Sequence, residues 1–392
     1  MQVDYSKYMD KIRFWQKTIE SVKDFTGTSP PSVFVGKAFY PKVFVGLLSP
    51  PQQLQDANIL DSPESWYKQN VSIEQILNFR GQMIYSRFKV PTVRVETKLM
   101  DVVKEVAMSR KQVDIEVELK SKPEFKFTFN EYFAPVGNPA PLENVRLASN
   151  PSVEKKVDYI VSDTDLKTVQ AVSELYKSIP ISSIQKIFSV GLLGSKLERK
   201  LVPTRWSITG VDDILGKIML ANVRQYEPLE EVLLFRNEYI GNKFQILLVP
   251  GTYQFELIEL YDLDKTKISV SKDYEPYWGR KTYASSTGGG FYASRLPVLE
   301  YLEKIKKSAS IIIVREITPE YYAPVGVWKV REIVRGAFEK PAEKFETLEK
   351  AFSSITQKCL TKDKWKMESK LFRILKEQKT VKSFLRHGSV PQ

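Results

Sequence analysis

The apolar residues of this chain occur in short runs that charged residues interrupt, and their spacing switches between two residues and three to four. No apolar stretch approaches the roughly eighteen residues that a membrane-spanning helix needs, and the first residues carry no secretion signal. We therefore expect a cytoplasmic protein with no membrane partner. The two spacings together predict a mixture of helices and strands.

Period-two alternation is clearest at residues 113–120, where apolar residues alternate with charged ones and predict a strand with one buried face. Near-identical Val-Phe-Val-Gly units at 33–36 and 43–46 predict two paired strands. Three runs within 231–260, separated by turn residues, favour an antiparallel meander, and 310–314 reads as a buried strand.

Helical spacing occurs in several segments. The predicted helices are 5–22, a helix beginning after Ser72, 98–109, 163–177, 294–307 and a segment from Glu343 onward. Helices, hairpins and isolated strands in this order predict an α+β fold with mixed or antiparallel sheets, and α/β is the alternative.

The pattern also suggests an organisation into four parts. These are an N-terminal amphipathic helix at 1–27, a core at 28–340 with a candidate seam at 131–152, a C-terminal helical segment at 341–375, and a flexible tail at 376–392. The seam is proposed because those residues are rich in Pro, Asn and Gly.

Composition limits the chemistry. A single cysteine, Cys359, and a single histidine, His387, exclude a zinc finger and a histidine-based metal centre. The net charge is +12, and residues 356–392 hold ten Lys or Arg against three acidic residues. A basic tail favours association with DNA, while a solvated terminal helix is the alternative interpretation.

The tail contains a short motif that fits the sliding-clamp-binding pattern. It consists of Gln378, Val381, Phe384 and Leu385. One 3₁₀ turn places the three apolar side chains on one side as a plug for a surface pocket. Alternatively, the same residues form the apolar face of a final helix.

Two segments carry candidate catalytic groups. On the strand at 113–120, Asp114, Glu116 and Glu118 are candidate ligands for Mg²⁺ or Mn²⁺, and Glu116, Glu118 and Lys120 form a nuclease-like set. A solvated strand face gives the same alternation. Asp212 and Asp213 offer a second pair of carboxylates.

Two further segments carry candidate nucleic-acid contacts. The first combines phosphate-binding cations with a stacking ring, in Arg199, Lys200, Arg205 and Trp206. A buried Arg–Asp pair beside a core Trp explains the same residues. The second is a glycine-rich loop whose amides could hold an anion, with Arg280, Lys281, Gly289, Gly290 and Arg295, or else a mobile linker. It lacks a Gly-Lys-Ser/Thr ending, so we do not expect ATP hydrolysis.

Several blocks of sequence resemble the archaeal Nre family of DNA-repair proteins. They are residues 29–36, 40–43, 114–120, 199–209 and 289–295, and the resemblance runs from about 28 to 337 and includes the clamp motif. It implies a repair role coupled to the sliding clamp (PCNA), alongside excision-repair proteins, without an agreed reaction. The cysteine-rich zinc-binding segment with which many members begin has no counterpart here.

Two functional hypotheses follow from these features. The first is a clamp-tethered factor that binds DNA without a reaction of its own. The second is a clamp-tethered, Mg²⁺- or Mn²⁺-dependent nuclease that uses the strand at 114–120 or the cluster at 205–213. An RNA-binding protein with an imitation of the motif is a weaker third alternative.

Overall fold

The computed structural model describes residues 10, 12–93, 95–262 and 268–377. The chain divides into two compact units. Of the described residues, the first unit contains those between 10 and 218 together with 321–332, and the second contains those between 219 and 320 together with 333–377. The boundaries fall inside two helices, α8 (Thr204–Val223) and α10 (Trp328–Phe338).

A six-stranded sheet forms the centre of the first unit. Its strands are β1 (Asp24–Ser29), β2 (Val33–Val35), β3 (Lys42–Ser49), β4 (Ile84–Pro91), β5 (Val113–Leu119) and β8 (Pro139–Leu147). They lie in the order β1-β5-β8-β4-β3-β2, and β4 and β8 pair in parallel while the other neighbours are antiparallel. A separate small ribbon joins β6 (Phe127–Thr128) to β7 (Val136–Gly137).

The helices of the first unit cover apolar faces. They are α1 (Gln16–Ser21), α2 (Pro63–Lys68), α3 (Ile73–Gly81), α4 (Lys98–Met108), α5 (Lys155–Ser162), α6 (Thr168–Tyr176) and α7 (Ile181–Ser189), with 3₁₀ turns at Arg13–Trp15 and Asn58–Asp61. Ser72 and Gln75 form a reciprocal capping box that starts α3, because each satisfies a backbone amide of the other residue.

Several expectations for the first unit are confirmed. β2 and β3 pair as predicted, with Val33 opposite Leu47, and β5 buries its apolar residues and turns its charged residues outward. The segment 131–152, predicted as a seam, does not coincide with the division into units. It contains β8, which lies between β5 and β4 because its Ala140, Leu142 and Val145 are buried.

The second unit also contains a six-stranded sheet. Its strands are β9 (Val232–Tyr239), β10 (Asn242–Pro250), β11 (Gln254–Asp262), β12 (Ile268–Glu275), β13 (Ala309–Ile317) and β14 (Glu343–Phe345). They lie in the order β12-β11-β13-β10-β9-β14. β9 and β10 form the expected hairpin, but β13 lies between β10 and β11, so the meander prediction is wrong beyond its first two strands.

The helices of the second unit are α9 (Gly289–Ile305), α11 (Leu348–Lys358), α12 (Lys364–Glu368) and α13 (Lys370–Glu377). An apolar cluster that includes Leu247, Ile258, Phe352 and Trp365 packs the last three helices on the sheet. The helix predicted from Glu343 begins only at Leu348, because Glu343–Phe345 pair with β9 as an edge strand.

The fold is α+β, as the mixed spacing predicted. Among the helices of the described residues, none has both the length and the apolar composition that crossing a bilayer requires.

Candidate nucleic-acid interface

Three exposed aromatic residues lie in the β2–β3 connection and at the start of α8. Phe39 is 65 % exposed, and Tyr40 and Trp206 are each 45 % exposed. The Tyr40 and Trp206 ring centres are 5.1 Å apart. Phe39 adopts a left-handed backbone φ of +67°, which is uncommon for a bulky residue and is found at functional sites more than elsewhere. Large rings held in water in this way are candidates for stacking on bases.

Two basic side chains near these residues lie over aromatic rings. The Lys89 ammonium lies 4.2 Å from the centre of the Phe39 ring, and the Arg205 guanidinium carbon lies 3.9 Å from the centre of the Tyr132 ring. Such contacts hold the cations over the aromatic faces while leaving charge available to a phosphate. Lys42 is exposed at the start of β3. We call the group Phe39, Tyr40, Lys42, Lys89, Arg205 and Trp206 the aromatic–basic surface.

A wide cleft of about 800 Å³ lies next to this surface in the first unit. The basic residues that line it are Lys104, Lys196, Arg199 and Lys200, and Glu96 is the acidic one in the described lining. Two chain segments connect cleft and surface. One runs from Lys89 to Thr92 of the cleft, and the other runs from Lys200 to Arg205. A polyanion could therefore follow one basic path along both segments.

Arg199 and Lys200 have different environments within this cleft. Arg199 is half-buried and donates to the carbonyl oxygens of Gly194 and Asp163, at 2.8 and 2.9 Å, so it fixes the loop that precedes α8. Burial lowers the pKa of its guanidinium. Lys200 is exposed. Of the predicted pair, the lysine is the one placed at the surface.

Asp212 and Asp213 are already paired within the first unit. Asp212 is fully buried, and Arg331 Nη2 donates to both of its carboxylate oxygens, at 2.8 and 2.7 Å. Asp213 pairs with Lys217, one turn further along α8, at 2.6 Å. The alternative interpretation of a buried Arg–Asp pair is thus realised, although the arginine is Arg331 and the nearby Trp206 is exposed.

The charged face of β5 is open to solvent and already neutralised in part. Arg146 of β8 lies 3.2 Å from Glu116 and 3.9 Å from Glu118, and Lys120 lies 3.4 Å from Glu143. Asp114 accepts a 2.6 Å hydrogen bond from the Thr28 hydroxyl.

Within the described ranges, no three His, Cys, Asp or Glu side chains converge in a way that could hold a metal ion. The nuclease hypothesis on Asp114, Glu116, Glu118 and Lys120 stays a prediction.

The glycine-rich loop of the second unit binds a carboxylate of the protein itself. The amides of Ser286 and Thr287 donate to Asp273 Oδ2, at 3.1 and 2.7 Å. Gly290 N donates instead to the carbonyl oxygen of Thr287. Asp273 therefore occupies the place that the sequence suggested for a bound anion.

The cations of the same loop also differ in exposure. Arg295 is buried and pairs with Glu275 at 2.7 Å, and Arg280 donates to backbone carbonyls of Tyr274 and Tyr283. Gly289 and Gly290 are buried in the first turn of α9. Lys281 is exposed. The arginines therefore stabilise the second unit, and Lys281 is the predicted cation left at its surface.

The predicted clamp motif, with Gln378, Val381, Phe384 and Leu385, lies outside the described residues. The helix that precedes it, α13, is firmly anchored. Glu256, a buried residue of β11, accepts hydrogen bonds from the amides of Lys370 and Leu371 and from the Ser369 hydroxyl. Burial raises the pKa of this carboxyl, and those donors oppose the rise.

Sequence reasoning found Arg205 and Trp206 but missed Phe39, Tyr40 and Lys89. The sequence did contain a signal for Phe39 and Tyr40. This aromatic pair is followed by Pro41-Lys42 and lies between two short strands, where both rings cannot be buried. Lys89 required the strand pairing that places it opposite Phe44.

Comparison with known proteins identifies the family. A family model described as "Archaeal Nre, N-terminal" matches residues 3–266, and one described as "Archaeal Nre, C-terminal" matches residues 275–384. No solved structure matches the chain.

Three curated relatives are named DNA repair proteins. NreA of Archaeoglobus fulgidus is 38 % identical over 91 % of this chain and 90 % of its own length. NreB of the same organism is 39 % identical over 85 % of each chain. NreA of Haloferax volcanii is 35 % identical over 88 % of this chain and 84 % of its own length. On these matches the chain belongs to the archaeal Nre family.

Proposed function

We propose that this chain is a DNA-repair factor that binds DNA through the aromatic–basic surface and the adjoining basic cleft. The names of its relatives support the repair role. The observation that carries the DNA-binding part is the set of exposed aromatic residues Phe39, Tyr40 and Trp206. Lys89 lies over the Phe39 ring, and Arg205 directly precedes Trp206 in the sequence.

Rings and cations contribute in different ways. A ring that stacks on an unpaired base stabilises the complex by about 1–3 kcal/mol, whatever the base. A cation that neutralises a phosphate adds affinity that falls as salt is raised. Both contributions are independent of base sequence. Because stacking requires an unpaired base, the proposed surface favours damaged, gapped or unwound DNA.

The test compares exposed rings inside and outside this surface. Tyr40→Ala and Trp206→Ala should each weaken binding to gapped DNA by about ten-fold in fluorescence anisotropy, because each removes a stacking ring. Tyr159→Ala is the matched control, since Tyr159 is a 65 % exposed tyrosine on α5 outside the surface. Arg205→Glu should weaken binding further and reduce its salt dependence. Unchanged affinity in Trp206→Ala and Arg205→Glu would show that DNA binds elsewhere.

We further propose that residues 378–385 tether this factor to the sliding clamp (PCNA), where it acts with excision-repair proteins on damaged DNA. Support comes from the motif and from its position directly after α13, which Glu256 fixes to β11. In this mode the apolar side chains are anchors that enter a pocket on the clamp, and the intervening residues contribute little.

The tether is tested by separating anchor positions from intervening positions. Val381→Ala with Phe384→Ala should abolish binding to the purified clamp in calorimetry, whereas Lys379→Ala with Lys382→Ala should retain most of it. Neither pair should change the melting temperature, and the Val381→Ala with Phe384→Ala pair should also leave the affinity for DNA unchanged. A loss of several degrees in the first pair would instead mean that Val381 and Phe384 pack within this protein.

A further inference from the structure

One large aromatic side chain of the second unit is held almost entirely in water. Trp278 lies in the connection between β12 and α9 and is 81 % exposed. Proteins bury most of the surface of a tryptophan on average, and exposed aromatic side chains are enriched where ligands bind. The indole of Trp278 is therefore a candidate contact for a ligand.

Trp278 lies at the tip of a tight turn. The Gly279 amide donates to the Pro276 carbonyl oxygen at 2.8 Å, so Tyr277 and Trp278 are the two central residues of a four-residue turn. Gly279 has a left-handed φ of +83°, and a Cβ at this position would lie 3.1 Å from Arg224 Nη2. Glycine fits here because it permits both this backbone conformation and the close approach of the arginine.

Arg280 fixes the rest of the loop. Its guanidinium donates to the carbonyl oxygens of Tyr274 and Tyr283, at 2.8 and 3.1 Å, and it pairs with Asp273 at 3.2 Å. These contacts join the end of β12 to the segment that follows the turn. An ordered loop thus presents the Trp278 side chain to solvent, which reduces the conformational entropy that is lost when a ligand binds.

The neighbours of Trp278 are aromatic and basic. The Tyr277 and Trp278 ring centres are 4.8 Å apart, and the Arg224 guanidinium carbon lies 5.6 Å from the centre of the Tyr277 ring. Among the described residues, the buried Nε of Arg224 has no hydrogen-bond partner. Lys281, three residues after Trp278, is exposed. We call the group Arg224, Tyr277, Trp278 and Lys281 the Trp278 platform.

The chemistry of this platform matches a single strand of nucleic acid. An indole stacks on any unpaired base, and cations beside it neutralise the phosphates of the same strand. Residues 276–299 contain no Asp or Glu, so this stretch of the chain does not repel a polyanion. An apolar protein surface would leave the cations without counter-charges, and a small anion would leave the indole in water.

We propose that the Trp278 platform is a second binding site for unpaired DNA, formed by residues of the second unit alone. The inference rests on the proposed function and deepens it, because DNA is the polymer that the first unit is proposed to bind. The platform shares no residue with the aromatic–basic surface. One chain therefore carries two single-strand sites, one in each unit.

The first test counts these sites with an oligo-dT of about eight nucleotides, a length that one single-strand-binding surface covers. Calorimetry at low salt should give two oligonucleotides per wild-type chain and one per chain of Trp278→Ala. Met367→Ala is the control, since it removes another exposed apolar side chain of the second unit, and it should keep two. Trp278→Phe, which keeps a smaller ring, should retain the second site at reduced affinity.

The charge of the platform is tested in the same assay. Lys281→Glu should weaken the second site several-fold at low salt, because it replaces a phosphate-neutralising cation with an anion. Lys304→Glu, at an exposed lysine of α9, makes the same change outside the platform and should have a much smaller effect. Both lysines are exposed, so neither change should alter the melting temperature.

The second test locates the contact directly. An oligo-dT that carries 5-iodouracil crosslinks under light to an aromatic ring stacked on that base. Trypsin cuts after Lys272 and Arg280, so a crosslink to Trp278 should appear on the peptide 273–280 and be absent in Trp278→Ala. A crosslink to Trp206 of the aromatic–basic surface should appear on the peptide 206–217 instead.

The outcomes separate this proposal from the proposed function. One oligonucleotide per wild-type chain, lost in Trp206→Ala and kept in Trp278→Ala, would overturn the second site and leave the first standing. Two per chain in both wild type and Trp278→Ala, with no crosslink on 273–280, would also overturn it. Absence of any binding by the wild-type protein would overturn both proposals.

Discussion

At the scale of single residues, the structure is notable for ionisable side chains that are buried in pairs. Asp61 is the clearest case. Burial alone would raise the pKa of its carboxyl, but the positive charges of Lys186 and Arg80 outweigh this and lower the pKa to about 2. The folded state thus binds this proton more weakly than the unfolded chain does, which links the stability of the first unit to pH.

The sign of this link gives a prediction. The ionised Asp61 carboxylate should add about 2 kcal/mol to the free energy of unfolding. This contribution should be fully present above the pKa of about 4 that the carboxyl has in the unfolded chain, and it should disappear as the pH falls towards 2. Urea unfolding between pH 2 and pH 5 should show Asp61→Asn less stable than wild type at pH 5 and nearly equal to it near pH 2. Asp165→Asn, at an exposed aspartate, is the control. A difference that stays constant with pH would contradict the assignment.

Sequence alone could identify some of these residues but not their partners. Arg205 and Trp206 were recognised from their types and spacing, and both lie at the proposed surface. The sequence presents Asp212 as a candidate catalytic group, yet it is buried against Arg331. Nothing local to Asp212 indicates that partner, because the two are brought together only by the packing of α8 and α10.

At the scale of elements, the last described helix depends on a residue of a distant strand. α13 is short, and isolated helices of this length are not stable in water. Glu256 compensates by accepting hydrogen bonds from the first amides of the helix, where a negative group also interacts favourably with the helix dipole.

Removal of the Glu256 carboxylate should lower the local stability of α13 more than that of the rest of the protein. Glu256→Ala leaves the amides of Lys370 and Leu371 and the Ser369 hydroxyl without their acceptor, at a cost of about 1–3 kcal/mol. Hydrogen exchange should accelerate over 370–377, and Glu256→Gln, which keeps one acceptor oxygen, should have a smaller effect. Glu238→Ala, at an exposed residue of β9, is the control. Unaltered exchange over 370–377 in Glu256→Ala would show that apolar packing alone holds the helix.

Elements with a strong local pattern were predicted well, and pairing was predicted only for strands that follow one another in sequence, as in β2–β3 and β9–β10. The alternation at 113–119 and the helix start after Ser72 depend on neighbours in sequence, so β5 and the start of α3 could be read directly. The place of β13 between β10 and β11 depends on α9, which carries the chain back to the sheet and allows the parallel pairing with β11.

At the scale of the whole molecule, the family assignment and the structure divide the chain differently. The two family models meet between residues 266 and 275, within the second structural unit, whereas the units change at 218, 320 and 332. The mixed α+β architecture could be predicted from spacing. The division into two units could not be predicted in this way. It depends on residues 321–332, which pack with the unit formed by residues before 219.

That segment, 321–332, has a consequence for biosynthesis. Trp328 packs edge-on against Trp66, and Arg331 neutralises the buried Asp212, so the first unit is completed by residues that leave the ribosome more than a hundred positions after residue 218. At roughly 5–20 residues per second, translation delays this closure by several seconds. In that interval Asp212 lacks its arginine partner, and one face of the Trp66 indole lacks its contact with Trp328.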